Sequence, residues 1–328
     1  MIGAGLSCAL GLPNTASLVA DVLRSYDHDR TWRHGKNLGP EMQKAFAYFY
    51  PDGANTDFRP NAVDFFSTLK AYIETGAGFP GGLTDAAELY RKLKFAIARL
   101  LLERLRDRDA QLKAGHSYFD EMVQPGHIAI TSNWDVAIER YAMHRQIPVR
   151  FSGYDDGEFV LLKLHGSLDW SLGNALPRPD KDYALLSERI TTGRPYKPKL
   201  PPQSQRKDLI VRIRALESWG SAWSFVSSRT HEPHMVTMAR GKSGDLGPLD
   251  GVWRDAYAAL TRAKELEIVG YSMPDDDVEI RTLLRAGLKR GSQKARISVR
   301  NPAPDVHDRV RQFLDHHAAS DYQAVDAS

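Results

Sequence analysis

Apolar positions follow two spacings along this chain, and the spacings divide it. From Tyr26 to Gly115 they recur three to four residues apart. Val63, Phe66, Leu69 and Ile73 fall on one face of a helix predicted over Asn61–Glu74. Leu89, Leu93, Ile97, Leu100, Leu101 and Leu105 do the same over Thr84–Arg108, and Pro40–Tyr50 has the same texture. Elsewhere, short β-branched apolar runs end in small or polar residues and give way to helical spacing, the pattern of buried parallel strands. The predicted strands are His127–Ser132, Pro148–Phe151, Glu158–Leu164, Leu266–Gly270 and Arg296–Val299. A turn signal, Asp155-Asp156-Gly157, separates the second from the third. The predicted helices are Asn14–Ser25, Asn133–Gln146, Val252–Ala263, Asp276–Lys289 and Asp305–His316.

Alternating strands and helices argue for an α/β fold with a Rossmann-like, doubly wound parallel sheet. On this reading residues 1–25 and 116–328 form the α/β domain, and residues 26–115 are a helical insertion in it. Leu176–Pro202 is proline-rich and basic, so residues 174–234 are expected to be an irregular loop or small lobe of the same domain. Met235–Gly251 also carries turn residues.

Composition narrows the class. A chain of 328 residues, 42% hydrophobic and 26% charged, has the make-up of a soluble globular protein. Its net charge of +3 gives no strong nucleic-acid footprint. No apolar run reaches membrane-spanning length; Phe95–Leu102 is short and broken by Arg99. The first residues lack the basic-then-apolar order of a secretory leader. The single cysteine, Cys8, excludes an intrachain disulfide and a four-cysteine zinc site. A cytoplasmic protein without zinc and without a membrane partner is expected.

Five polar clusters close predicted strands or open helices, and each has an ordinary reading beside a chemical one. In GAGLS, Gly3 to Ser7, the glycines permit close backbone approach to a pyrophosphate or simply tight packing. In TSNWD, Thr131 to Asp135, the polar groups lie beyond a strand's carboxyl end, where α/β sheets bind ligands, yet Ser132 or Asn133 would also serve as a helix cap. LLKLHGSLDW places His165 and Gly166 at a strand end, suited to proton transfer or to an ordinary turn. VGYSMPDDD offers Gly270 and Ser272 to a phosphate or ribose, while Asp275–Asp277 suit a helix N-terminus by charge alone. In SVRNP, the amide of Asn301 is placed to bond a ribose or an adenine edge.

Taken in order, GAGLS, TSNWD, LHGS, GYSMPDDD and RNP resemble the motifs of the sirtuin-like (SIR2) superfamily, most nearly its bacterial anti-phage members. That resemblance implies that Gly3, Ala4, Gly5 and Ser7 cradle the pyrophosphate of NAD⁺. It implies that Asn133, with Ser132 beside it, acts at the nicotinamide ribose or positions water, that Asp135 recognises the carboxamide, and that His165 lies by the ribose hydroxyls. Gly270 and Ser272 would contact phosphate or ribose, and Asn301 the adenosine ribose. The cysteines of the deacylases' zinc module are missing, and so is their arginine after the glycine turn, where GLP stands instead. Only Met1 and Ile2 precede Gly3, so the first parallel strand is expected to be cut short or to begin upstream.

The implied activity is hydrolysis of NAD⁺ to nicotinamide and ADP-ribose, with NAD⁺ as substrate, in defence by NAD⁺ depletion. Control would come from a separate regulatory or sensor protein, from homo-oligomerisation, or from the helical insertion. Two alternatives stand beside it: an NAD-dependent protein deacylase, and a non-catalytic module that senses NAD⁺ or ADP-ribose. A dehydrogenase is disfavoured, because Cys8 occupies the third glycine position of G-x-G-x-x-G.

Overall fold

The computed structural model describes residues 1–26, 38–50, 61–76, 86–153, 157–172, 183–185, 209–213, 232–237, 239, 243–290, 295–315 and 321–325. Helices α1 (Ala4–Cys8) and α2 (Leu18–Tyr26) come first. Next are α3 (Leu38–Phe49), α4 (Ala62–Thr75), α5 (Ala86–Asp107), α6 (Asp109–Ala114) and α7 (Ser117–Met122). Strand β1 (Ile128–Thr131), helix α8 (Ala137–His144) and strands β2 (Val149–Arg150) and β3 (Phe159–Lys163) follow. Then come β4 (Trp170–Leu172), β5 (Tyr183–Leu185), β6 (Ile210–Ile213), β7 (Glu265–Val269), β8 (Arg296–Arg300) and β9 (Asp321–Val325). Longer helices span Asp250–Arg262, Val278–Arg290 and Pro304–Asp315.

The apolar runs do become parallel strands, and the chain is mixed α/β. β3 lies between β1 and β2, parallel to both, with Ile128 opposite Val160 and Thr131 opposite Lys163. Every residue of β3 is buried, which explains why FVLLK reads as a continuous run without alternation. Burial of side chains such as Leu161 and Leu162 contributes about 1.5–3 kcal/mol each. A second parallel set runs β7–β8–β9, with Val269 opposite Arg300. Ile2 forms parallel bridges to both Thr131 and Val269. Its N–H donates to Ile130 O at 2.8 Å, while Gly3 N–H donates to Val269 O at 3.0 Å. Ile2 thus stands where the first strand was expected and joins the two parallel sets pointing the same way.

The helical stretch between α2 and α7 forms as its periodicity predicts. Asn61 caps α4 by accepting from Val63 N–H, and Gly76 ends it in the left-handed region. Phe65, Phe66, Leu69, Leu93, Ile97 and Leu105 are buried, and the Phe46 and Phe65 rings meet edge to face at 4.8 Å. These side chains belong to the same apolar core as the strands. No helix among the described residues is long and apolar enough to cross a membrane.

Several boundaries differ from expectation for local reasons. The first helix begins at Ala4, inside the glycine motif, and α2 begins only at Leu18. Asn14 Oδ1 instead accepts Ser17 N–H in a turn before α2. Helix α8 starts at Ala137 rather than Asn133, because the side chain of Asp135 accepts Ala137 N–H. Helices α6 and α7 and strand β9 were not expected. Within residues 174–234, expected to be an irregular loop or small lobe, β5 and β6 are strands; with β4 they form an antiparallel sheet in the order β4–β6–β5. Asp155, Asp156 and the rest of Leu176–Pro202 lie outside the described residues.

Candidate functional site

Register fixes where the site lies. Thr131 and Lys163 are partners on adjacent parallel strands, and Asn133 and His165 each stand two residues beyond them. Neighbouring strands lie about 4.8 Å apart, so both side chains begin from one short stretch of the carboxyl edge. The two loops are also tied directly. Trp134 O accepts Leu168 N–H at 3.0 Å and Ser167 Oγ–H at 3.2 Å. The Trp134 indole N–H donates to Val236 O at 3.1 Å, and Val236 N–H donates to His165 O at 2.9 Å.

Around Asn133 the loops are joined by side chains. Its Nδ2 donates to Gly3 O and to Ser7 Oγ, both at 3.0 Å. Ser7 Oγ–H donates in turn to Asp135 Oδ2 at 2.6 Å, and Asp135 Oδ1 accepts Ala137 N–H at 3.0 Å. Thr131 Oγ1 donates to Ile2 O and accepts Asn133 N–H. Both amide protons of half-buried Asn133 are therefore engaged, which leaves Oδ1 as its acceptor for a ligand. Beneath this loop Lys163 Nζ donates to Asp135 O at 2.5 Å and to Glu139 Oε1 at 2.7 Å. Burial pushes the Glu139 carboxyl up to about 7 against the opposing pull of Lys163.

The glycines serve backbone contact. Gly5 N–H donates to Gly270 O at 2.9 Å, and Gly270 N–H to Arg300 O at 3.1 Å. A Cβ at Gly3 would lie 2.5 Å from Tyr271 Cα, and one at Gly270, where φ is 58°, only 2.4 Å from Leu6 N. The turn after β3 is equally tight: Gly166 has φ of 72°, and a Cβ there would lie 2.0 Å from His234 O.

His165 is buried, with Nε2 3.7 Å from Asp277 Oδ1. Asp277 Oδ2 accepts the Tyr271 hydroxyl at 2.8 Å, and burial together with this carboxylate holds that phenol far above its ordinary value. His234, across the Gly166 turn, is pushed down to about 4 by burial and by Lys94. No protein-family model matches this chain, and no curated protein is significantly similar to it.

The remaining expected residues are placed less centrally. Gly3, Ser7 and Asp135 are brought to Asn133 or to its loop, and Gly270 to the glycine turn, chiefly as builders of the site. Ala4 and Gly5 are the more open part of the glycine turn. Ser272 is exposed and Ser132 half-buried, and among the described residues no hydrogen bond joins either side chain to Asn133 or His165. Asn301 Oδ1 accepts Ala303 N–H at 3.0 Å in the turn before the last long helix, and its carbonyl accepts from His307 Nε2 of that helix at 2.7 Å. Sequence reasoning passed over Lys163 and Glu139, and took Asp277 only as helix-end charge. A lysine inside the apolar run FVLLKL was the available signal, because a buried ammonium requires partners.

Proposed function

We propose that this chain is a sirtuin-like NAD⁺ glycohydrolase with a Rossmann-like, doubly wound sheet. The strand order β2-β3-β1-Ile2-β7-β8-β9, parallel throughout, supports the fold, and the order of motifs supports the family. The observation that carries the activity is that Asn133 and His165 lie two residues past a paired position on adjacent parallel strands. Substrates of such sheets bind where strand ends diverge, here at Ile2 between β1 and β7.

In this reading the C–N bond between nicotinamide and C1′ of the ribose breaks, and its electron pair leaves on the nicotinamide nitrogen. Water oxygen bonds to C1′ on the opposite face through an oxocarbenium-like state. Asn133 Oδ1 orients the water or a ribose hydroxyl. His165 takes the proton that the water loses, with Asp277 stabilising the imidazolium, and returns it to solvent. Ser7 and Asp135 hold Asn133. Asp135 also positions the loop, its two oxygens accepting from Ser7 and Ala137, and each oxygen keeps a further lone pair for the carboxamide. Gly3, Gly5 and Gly270 bring two backbone turns together beneath the dinucleotide.

Incubation with NAD⁺ and chromatography of the products tests this. Wild-type protein is expected to release nicotinamide and ADP-ribose, and Asn133→Ala or His165→Ala to lose about 10²–10⁴-fold of that rate. Circular dichroism checks that the variants remain folded. Absence of nicotinamide release by the wild type, or undiminished release by both folded variants, refutes the assignment.

A further inference from the structure

Lys163 lies in the middle of the parallel sheet, where a charged side chain is costly unless paired and hydrogen-bonded. It is 1% exposed. Its ammonium has three protons to place. One goes to the backbone carbonyl of Asp135 and another to Glu139 on α8. Asp169, also buried, faces Glu139 from the turn after β3 and pairs with Arg212 of β6 at 3.8 Å. Two buried cations and two buried carboxylates therefore run from the loop that carries Asn133 toward β6.

Simple packing would fill this place with an apolar side chain, as at Leu161 and Leu162 in the same strand. What the lysine adds is a bond to a carbonyl in an irregular segment. Residues 132–136 belong to neither β1 nor α8, and their shape depends on such bonds. On the open side Asn133 is held by Gly3 and Ser7, and on the core side Asp135 is held by Lys163.

We propose that Lys163 is a positioning residue: its buried ammonium, itself held by Glu139, fixes the Asp135 carbonyl and thereby the direction in which Asn133 presents Oδ1. The catalytic part of this role rests on the glycohydrolase reading; the tether does not. Glu139 takes no part in the chemistry and keeps the ammonium aimed at the loop.

Lys163→Met alone leaves Glu139 stranded in the core, so the informative variant is Lys163→Met with Glu139→Leu. Replacing a buried ion pair with apolar side chains of similar volume is tolerated by folded proteins. In the double variant the amides of residues 133–136 are expected to exchange hydrogen roughly tenfold faster or more, while those of β1 and β3 keep their rates. The kcat for nicotinamide release is expected to fall roughly tenfold to hundredfold, with little change in the Kd for NAD⁺. Glu139→Gln keeps an oxygen acceptor for Lys163 and is expected to leave exchange in the loop at the wild-type rate. Wild-type exchange in the double variant, undiminished kcat in it, or accelerated exchange in Glu139→Gln each overturns the proposal. If wild-type protein releases no nicotinamide, only the functional reading falls, and loop exchange still decides the tether.

Discussion

The two parallel sets that meet at Ile2 finish their strands differently. After β1 and β3, polar side chains bond across elements: Asn133 to Gly3 and Ser7, Ser7 to Asp135, and Lys163 to Asp135 and Glu139. After β7 and β8 the closures are made by backbone or by near neighbours. Gly270 packs on Gly5 and Leu6, and Asn301 bonds residues within its own turn and helix. One half supplies Asn133 and His165, held from several directions, and the other supplies shape together with the Asp277 carboxylate beside His165. A binding edge needs both, because fixed groups act only if a surface brings the ligand to them.

The largest expected effect attacks the shape. Gly270→Ala combines a left-handed backbone with a Cβ 2.4 Å from Leu6 N, and is expected to cost about 3 kcal/mol or more in a urea unfolding series. Gly76→Ala is the control: φ is 64° there and among the described residues no packing partner lies within 4 Å of an added Cβ, so about 1–2 kcal/mol is expected. Equal costs would show that the meeting of the two turns is not what makes Gly270 necessary.

Next comes the charge buried behind the polar half. An ordinary carboxyl titrates near 4.5, and in the folded chain Glu139 is pushed up to about 7. Between these values the folded state keeps a proton that the unfolded state has lost. The contribution to stability is therefore complete below 4.5 and lost as pH rises through about 7. Wild type measured against Glu139→Gln over this window is expected to show that loss, and parallel curves would contradict it.

The smallest effects compare the two kinds of closure. Ser7→Ala removes a hydrogen bond to a carboxylate and is expected to cost about 2 kcal/mol. Asn301→Ala removes a local turn bond to Ala303 N–H and is expected to cost about 1 kcal/mol. Thermal unfolding of both variants checks the order, and a reversed order would remove the distinction between the halves.

Much of this architecture was legible in the chain because burial on two faces leaves a continuous apolar run. IAIT, FVLLK and ELEIV could be read as strands, and the spacing of Leu89, Leu93 and Ile97 as a helix. The glycine turns, the Asn133 loop and the His165 turn were legible as strand ends. What was not legible depends on contacts distant in sequence. Strands β4, β5 and β6 are three or four residues long and exist through their pairing. The start of α8 was misplaced because Asn133 and Asp135 are both good caps. Nothing local shows that Asn133 turns toward residues at the beginning of the chain while Asp135 turns toward the helix. For Asn301 the chain showed a strand-end amide but not the turn to Ala303 that it closes, since that bond depends on where the following helix begins.

The bridge at Ile2 also orders events during synthesis. Thr131, its partner on one side, is made 129 residues later, and Val269, on the other, later still. Ribosomes add about 5–20 residues each second, so Ile2 waits many seconds for both of its partner strands to exist. During that interval a nascent chain exposes Met1, Ile2 and Leu6, all buried in the finished fold, to whatever receives polypeptide at the tunnel exit.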